Sequence, residues 1–342
     1  MRKKYATRRI MLRTALCVAA IAAGLLLSEL TSAGASEAMP RSPEVDVQIG
    51  DIFVASESTP RENRSLDGIW SPHEAGLPSM RGGQVIQGGT PHRLLLFTFD
   101  DGPNAHTTPR LLHLLDQFGI KALFFLNANR IDGDSARERA QADIARDIVA
   151  RGHFIGNHSF SHRQLPLANN AEVAFQIDGA RRVFERTLGT RTWLFRPPGG
   201  ARSARVDGLI ESRGYTQMLW NLGTGDVQVS TPEEVVETWR RVMSRREREN
   251  REKGGIILLH DIHAHSVTAF VQIVADIRRR NCALLERGEE LYDIVDDPRL
   301  FMTNRTNEDY GVNAPPLTLE PEVLATRQAR LRIQTAVRCA DR

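Results

Sequence analysis

The sequence predicts an α/β fold, a distorted and incomplete (β/α)7-type barrel with an N-terminal extension and a C-terminal tail. Between residues 91 and 300, short apolar runs alternate six or seven times with stretches of helical spacing. Runs this short and this uniformly apolar are typical of parallel strands buried on both faces. Repeated strand–helix units imply a parallel sheet with helices outside, and their number favours a barrel over an open doubly wound sheet.

The elements follow one another with recognisable boundaries. Strands are predicted at Leu94–Phe99, Ala122–Leu126, Phe154–Ile155, Trp193–Phe195, Tyr215–Trp220 and Ile256–Leu259. Helices are predicted at Leu111–Phe118, Ala140–Ala150, Val173–Leu188, Ala204–Arg213, from Pro232 onward and at Val267–Arg287. Gly119 stops the first helix, and Thr231 is an N-cap with Pro232 at the first helical position.

Composition and charge exclude some classes of protein. The 342 residues, 41% of them hydrophobic and 25% charged, are enough for a sizeable core in about two domains or one large α/β domain. The formal charge of +3 depends on residues 1–35, whose six cations and one anion leave −2 on the remainder. A nearly neutral chain lacks the basic field that nucleic-acid binding needs, so we predict no nucleic-acid partner.

Residues 1–35 have the pattern of a secretory signal peptide. A basic stretch ends at Arg13, an apolar run covers Ala15–Leu27, and small residues end at Ala35. The apolar run is short of the roughly 20 residues that cross a bilayer, and an uncleaved membrane anchor is the alternative. Thr7–Arg13 also resembles a twin-arginine export signal. Either way we expect export, to the periplasm, the cell envelope or the exterior.

The segments flanking the predicted domain, residues 91–300, are less informative. Residues 36–90 lack any sustained period and are predicted to be a linker. The tail, residues 301–342, contains an amphipathic helix that either packs on the barrel or binds a partner. Cys282 and Cys339 are structural or unpaired; export permits a disulfide, but sequence does not give the geometry that one needs.

Two adjacent carboxylates, Asp100 and Asp101, follow the first predicted strand. Like charges this close are unfavourable unless a cation lies nearby, so the pair indicates a metal site. Adjacent side chains point in different directions, so one carboxylate can bind the metal while the other handles a proton. A capped turn is the alternative for this motif alone.

His158 and His162 follow the third predicted strand, four residues apart. We expect this spacing to put both imidazoles on one face of a helical turn, within reach of one ion. With Asp101 they supply two nitrogens and one oxygen and leave positions for water and substrate, as in catalytic zinc sites. One divalent zinc ion is predicted, with cobalt, nickel or iron as alternatives.

Further polar residues stand at other strand ends. Arg196 precedes two prolines and then Gly199 and Gly200, which let a ligand approach main-chain amides as an oxyanion site requires. His260 ends the last strand, a natural position for a general acid, and Asp226 can hold or charge-tune its imidazole. An ordinary loop and a plain turn are the alternatives for Arg196 and Asp226.

Five segments of the sequence, taken together, resemble the motif series of the polysaccharide deacetylases. In chain order they are T-F-D-D-G-P, H-S-F-S-H, R-P-P-G, the segment from Trp220 to Asp226, and L-L-H. This family is carbohydrate esterase family 4, or the NodB homology domain, and the resemblance spans roughly residues 93–295. It implies the incomplete barrel and removal of N-acetyl, occasionally O-acetyl, groups from an acetylated amino-sugar polysaccharide by metal-activated water. Peptidoglycan, chitin-like oligomers and poly-N-acetylglucosamine remain open as substrates.

The resemblance also implies a role for each matched residue. Asp100 would be the catalytic base, and Asp101, His158 and His162 the metal ligands. Arg196 would orient Asp100, and His260, tuned by Asp226, would protonate the leaving amine. Leu258 would shape the wall around the acetyl methyl group, and a main-chain amide at Gly199 would serve the oxyanion.

Two departures from the family pattern leave an alternative function open. Gly199 stands where many members have tyrosine, and Gly223 where many have an acidic residue. A catalytically retired protein that binds an envelope glycan is therefore the second hypothesis, and an envelope interaction protein that acts through its charged helix and tail is the third. A metallopeptidase is disfavoured because the sequence has no H-E-x-x-H motif.

Overall fold

The computed structural model describes residues 85–301 and 320–340. The signal or anchor segment, residues 36–84 of the predicted linker, and residues 302–319 and 341–342 of the tail lie outside the described residues. No helix within the described ranges is both long enough and apolar enough to cross a membrane.

The described chain contains nine strands and seven α-helices. The strands are β1 (Val85–Ile86), β2 (Leu94–Asp100), β3 (Leu123–Leu126), β4 (Phe154–Asn157), β5 (Leu194–Phe195), β6 (Thr216–Met218), β7 (Leu222–Gly223), β8 (Gly255–His260) and β9 (Asp293–Ile294). The helices are α1 (Thr108–Phe118), α2 (Ala136–Ala150), α3 (Asn170–Leu188), α4 (Ala204–Glu211), α5 (Pro232–Asn250), α6 (Ala264–Glu286) and α7 (Pro321–Ala340).

All named strands belong to one parallel sheet that curls without closing. Its order is β1-β6-β5-β4-β3-β2-β8-β7, and β9 pairs with the start of β2. No pairing joins β1 to β7 in the described residues, so the predicted incomplete barrel is confirmed. The strand β1 lies within the segment predicted as linker; two residues are too few to show a period.

The core explains why the strands read as continuous apolar runs. Every residue of β2 is buried. Leu95, Phe97 and Phe99 pack with residues of the outer helices, while Leu94 and Leu96 belong to a second cluster on the other face. The same alternation puts Thr98 and Asp100 on the second face, at the carboxyl end of the strand. The inner face of β2 thus changes from apolar to polar as it approaches the mouth of the barrel.

Helix boundaries follow the capping signals in the sequence. Thr231 and Glu234 form a capping box at the start of α5, with Pro232 at the first helical position. Gly119 ends α1 in the left-handed conformation, with φ 64°. Both predicted boundaries are confirmed.

The C-terminal helix packs on the barrel. Gln328 in α7 hydrogen-bonds both the main-chain N–H and the carbonyl of Leu291, and both contacts are buried. Cys282 in α6 and Cys339 in α7 form a disulfide, with Cα atoms 6.0 Å apart. Of the two predicted alternatives for this helix, packing on the barrel is the one observed.

The disulfide closes a long loop, and we expect a corresponding effect on stability. Its cysteines are 57 residues apart, so Cys282→Ser should lower the free energy of unfolding by about 2–4 kcal/mol. Denaturant unfolding with and without dithiothreitol measures the change, and the Cys282→Ser/Cys339→Ser double variant should be insensitive to the reductant. A variant as stable as the wild type would contradict this prediction.

Candidate active site

The candidate site lies at the mouth of the barrel, where the carboxyl ends of several parallel strands meet. Asp100 and His260 are partners in the β2–β8 register, and each is the last residue of its strand. Asn157 at the end of β4 pairs with Phe195 at the end of β5, so His158 and Arg196 follow at neighbouring positions. Sheet topology thus brings together residues that are far apart in sequence.

Asp101, His158 and His162 form a cluster that can hold a divalent cation. Oδ1 of Asp101 lies 3.4 Å from Nε2 of His158 and 3.2 Å from Nε2 of His162. All three ligand atoms lie within 4.8 Å of one another. Tetrahedral bonds of about 2.0–2.2 Å, usual for zinc with nitrogen and oxygen ligands, place ligand atoms about 3.3 Å apart. The donor set and its spacing therefore fit such an ion.

The two histidines meet for a different reason from the one predicted. Residues 158–162 form a loop and not a helical turn, with φ 72° at Ser159 and 58° at His162. Asn157 Oδ1 accepts a hydrogen bond from the Ser159 N–H, and Ser159 Oγ accepts one from the His162 N–H. Side chain-to-main chain bonds of this kind compete with helix formation, so the helical premise was wrong although both imidazoles reach one site.

Main-chain contacts fix the orientation of His158. Its Nδ1 lies 2.7 Å from the carbonyl oxygen of Arg196 in a buried contact. Because a carbonyl only accepts, Nδ1 carries the proton and Nε2 faces Asp101 as the ligand atom.

The electrostatics of Asp101 suit a metal ligand. Burial raises its pKa, but the hydrogen bond with His158 and the charges of His158, His162 and His260 lower it more, to well below its ordinary value. Asp101 is therefore ionised at neutral pH, as a carboxylate ligand must be.

Asp100 is held by a buried guanidinium. Nη1 of Arg196, which is 0% exposed, donates to Oδ1 of Asp100 at 2.7 Å and to Thr98 Oγ1 at 2.8 Å. Burial lowers the pKa of Arg196, and the charge of Asp100 opposes that shift. The second carboxylate oxygen of Asp100 lies 3.7 Å from Nε2 of His158, so it faces the cluster. One oxygen is anchored, and the other is available for a proton.

His260 and Asp226 form a second buried pair. Nδ1 of His260 lies 3.0 Å from Oδ1 of Asp226, and the His260 main-chain N–H donates to Oδ2 at 2.7 Å. Ser266 Oγ also donates to Oδ2, at 2.7 Å. Burial lowers the pKa of His260, but the hydrogen bond and charge of Asp226 raise it to about 9. The imidazole is therefore protonated at neutral pH.

The remaining predicted residues line the same mouth or its rim. Leu258, 8% exposed, stands two residues before His260 on β8 and so shares its face of the sheet. Gly199 is exposed, in the loop after Arg196, with φ 62°. A Cβ at Gly223 would lie 3.1 Å from Nε1 of Trp220, so the indole takes up space that an acidic side chain there would need.

Two supporting residues, Thr98 and Ser266, were not predicted from the sequence. Thr98 bridges Arg196 and the β8 main chain, and its inward position on β2 was a usable signal. Ser266 and His265 both hydrogen-bond Asp226, His265 through the main-chain carbonyl. No sequence pattern marks Ser266, because it reaches Asp226 from the start of the following helix.

The chain is similar in sequence to proteins that are named as deacetylases. The family described as polysaccharide deacetylase matches residues 87–218. A chitooligosaccharide deacetylase of Azorhizobium caulinodans is 31% identical over 169 residues, 49% of this chain and 73% of that protein. A peptidoglycan-N-acetylglucosamine deacetylase of Bacillus cereus is 26% identical, over 58% of this chain and 88% of that protein.

Two further comparisons concern a fungal relative and the fold. A chitin deacetylase of Arthroderma benhamiae is 30% identical over 62% of this chain, and the chain spans 55% of the length of that protein. The solved chitin deacetylase of Colletotrichum lindemuthianum superposes with a TM-score of 0.52 at 26% identity, covering 64% of this chain and 94% of that one.

Proposed function

The chain belongs to the polysaccharide deacetylase family, and we propose that it is a metal-dependent hydrolase of N-acetyl groups on an N-acetylglucosamine-containing polysaccharide. The observation that carries this proposal is the convergence of a ligand cluster, an anchored carboxylate and a protonated imidazole at one mouth. Each is a part that amide hydrolysis needs, and together they come from the ends of β2, β4 and β8.

Asp100 is assigned as the general base. Oδ1 of Asp100 accepts a hydrogen bond from Nη1 of Arg196 at 2.7 Å. The other carboxylate oxygen faces the cluster of Asp101, His158 and His162. A divalent cation held by that cluster, which we propose to be zinc, would polarise the acetyl carbonyl and lower the pKa of water from 15.7 towards about 7. Asp100 takes the proton of the attacking water, and general-base action of this kind contributes about 10²–10⁴-fold in rate.

The main-chain N–H of Gly199 is assigned to the oxyanion that forms when water adds to the acetyl carbon, because the N–H groups of Gly200 and Ala201 already donate to main-chain carbonyls. Losing one such donor costs about 2.7–4 kcal/mol of barrier. Leu258 is assigned to the wall around the acetyl methyl group. Because no side chain projects at Gly199, any contribution from this position comes from the main chain alone.

His260 is assigned as the general acid. The amine cannot leave as an anion, so the C–N bond breaks as His260 gives its proton to the nitrogen. With a pKa of about 9 the imidazole holds that proton at neutral pH, while Asp100 must be ionised to act as base. The rate should fall on the alkaline side above about pH 9, where His260 loses its proton.

A pH profile tests the pairing of His260 with Asp226. Asp226→Asn removes the charge that contributes most to raising the pKa of His260, so the lowering effect of burial is then opposed only by the charges of Asp100 and Asp101. The alkaline limb of kcat/KM should move down by about two pH units, since an opposite charge this close shifts a pKa by 1–3 units. Ser266→Ala, which removes a hydrogen bond to Asp226 but leaves the pair, is the matched control with a smaller shift. An unmoved alkaline limb in Asp226→Asn would exclude this role.

The substrate class is proposed from the relatives, which are named as deacetylases of chitin, chitooligosaccharide and peptidoglycan. Acetate release from peptidoglycan, chitin oligomers and poly-N-acetylglucosamine, with and without a chelator, tests both the substrate and the metal requirement. We also propose export to the envelope or beyond, where these polymers lie, because the N-terminal segment has the signal pattern. Membrane attachment would follow only if that segment stays uncleaved.

A retired, glycan-binding protein is the second candidate, favoured by the two glycines. Gly199 presents no side chain, and Trp220 fills space beside Gly223. Binding of acetylated oligosaccharide with no acetate released, in protein loaded with zinc, would establish this alternative and reject hydrolysis. The presence of base, ligands and acid in one mouth favours the enzyme.

A further inference from the structure

Asp261 is a buried carboxyl group that the mechanism above does not use. It follows His260 at the end of β8, and its relative exposure is 0%. Because Asp100 and His260 are register partners, Asp101 and Asp261 are the next residues on adjacent strands. Asp261 therefore lies beside the loop that carries one of the candidate metal ligands.

Hydrogen bonds tie Asp261 to that loop and to the helix after it. Its Oδ2 accepts a hydrogen bond from Thr108 Oγ1, and its main-chain carbonyl accepts one from Thr107 Oγ1. Thr108 Oγ1 accepts in turn from the N–H of Asn104, at 2.8 Å. The carboxyl group is thus bonded to the start of α1 and, through Thr108, linked to Asn104 in the segment between Asp101 and α1.

Asp261 also packs directly against the residue that follows the metal ligand. A Cβ added at Gly102 would overlap the carboxyl group of Asp261. Gly102 does not have a positive φ, so the position needs glycine because of this contact and not because of its backbone conformation. Oδ1 of Asp261 is buried and accepts no hydrogen bond from the described residues. Oδ1 of Asp261 therefore acts through its packing contact with Gly102.

The loop needs such support because of its backbone. Asp101 has φ 74°, a left-handed conformation that is unfavourable for a residue with a Cβ atom. Asn127 holds the loop from one side, where its main-chain N–H donates to the Gly102 carbonyl at 3.1 Å. Asp261 supports it from the β8 side.

We propose that Asp261 is a positioning residue, whose carboxyl group packs against Gly102 and keeps the Asp101 loop in the conformation that aims Asp101 at His158 and His162. This inference rests on the proposed function, since it concerns the same candidate metal site. The shape and the hydrogen bonding of the Asp261 side chain are what keep the Asp101 loop in place.

Zinc affinity of the purified chain, measured by competition with a chromophoric chelator, tests the proposal without substrate. Asp261→Ala should weaken zinc binding by about 10–100-fold, the range usual for residues that orient a ligand. Asp261→Asn, which keeps the shape and the acceptor for Thr108, should bind zinc within about threefold of the wild type.

A double variant separates packing from a general loss of structure. Gly102→Ala alone should weaken zinc binding, because its methyl group meets the Asp261 carboxyl group. In Gly102→Ala/Asp261→Ala the methyl group enters the space that the carboxyl group leaves, so the double variant should bind zinc more tightly than either single variant. Thermal unfolding of the metal-free proteins reports whether each variant is folded, and the Asp261→Asn and Gly102→Ala results stand even if Asp261→Ala does not fold.

Three outcomes would overturn the proposal. The first is zinc binding by Asp261→Ala within twofold of the wild type, and the second is a double variant that binds zinc no more tightly than the single variants. The third is an equal loss of zinc affinity in Asp261→Asn and Asp261→Ala. Failure of the wild-type protein to bind zinc would overturn the proposed function together with this inference. Unchanged binding by Asp261→Ala would overturn this inference alone.

Discussion

Replacing Asp100 with asparagine should lower kcat by about 10²–10⁴-fold, because it removes the group that accepts the proton of the attacking water. Asparagine keeps the shape and can still accept the hydrogen bond from Arg196, which lies 2.7 Å from Oδ1. The ligand cluster is untouched, so zinc affinity should stay near the wild-type value. Steady-state acetate release and a zinc titration on the same preparation measure both quantities.

The same substitution should also reduce stability, since it leaves the guanidinium of Arg196 buried without its counter-charge. Breaking a buried pair in this way costs about 3–5 kcal/mol, so activity must be compared at a temperature where the variant is folded. Asp143→Asn is the matched control, because Asp143 has a side chain 76% exposed and pairs with Arg146 on the surface of α2. An Asp100→Asn variant within tenfold of the wild-type kcat would rule out the assignment of the base.

Replacing His158 with alanine should remove both metal and turnover. His158 is 1% exposed, and its Nε2 faces Asp101 at 3.4 Å. Losing a direct ligand should weaken zinc binding by more than the 10–100-fold usual for outer residues, so on the order of a hundredfold or more is expected. Acetate release should fall in parallel and recover in part at high zinc concentration.

A control for the histidine experiment lies on α1. His113 is exposed and contacts Gln117 one turn away, so His113→Ala should change neither zinc affinity nor kcat. If His158→Ala lost activity at full zinc occupancy, His158 would have a role other than that of a ligand.

Sequence reasoning succeeded where chemistry and strand ends coincide. Asp100, Arg196 and His260 each stand at or just after a strand, and parallel strands necessarily bring their carboxyl ends to one edge. The buried strands were predictable as short continuous apolar runs, and the amphipathic helices were predictable from their helical period. Their boundaries agree with the capping residues, as at Thr231 and Gly119.

The features that could not be predicted from the sequence depend on which residues the fold brings close together. The strands β1, β7 and β9 have two residues each, too few to show alternation. The conformation of residues 158–162 is set by the side-chain bonds of Asn157 and Ser159, and no periodicity reports these. The pairing of Cys282 with Cys339 and the packing of Asp261 on Gly102 join strands and helices whose distance only the fold determines.

The central claim is that one divalent cation, held by Asp101, His158 and His162, is required for acetate release. Titrating zinc into the metal-stripped protein while recording acetate release from an acetylated oligosaccharide tests it most directly. We predict that the rate rises from baseline in proportion to bound zinc and reaches its plateau at one equivalent per chain. Full-rate acetate release by the metal-stripped protein would contradict the account.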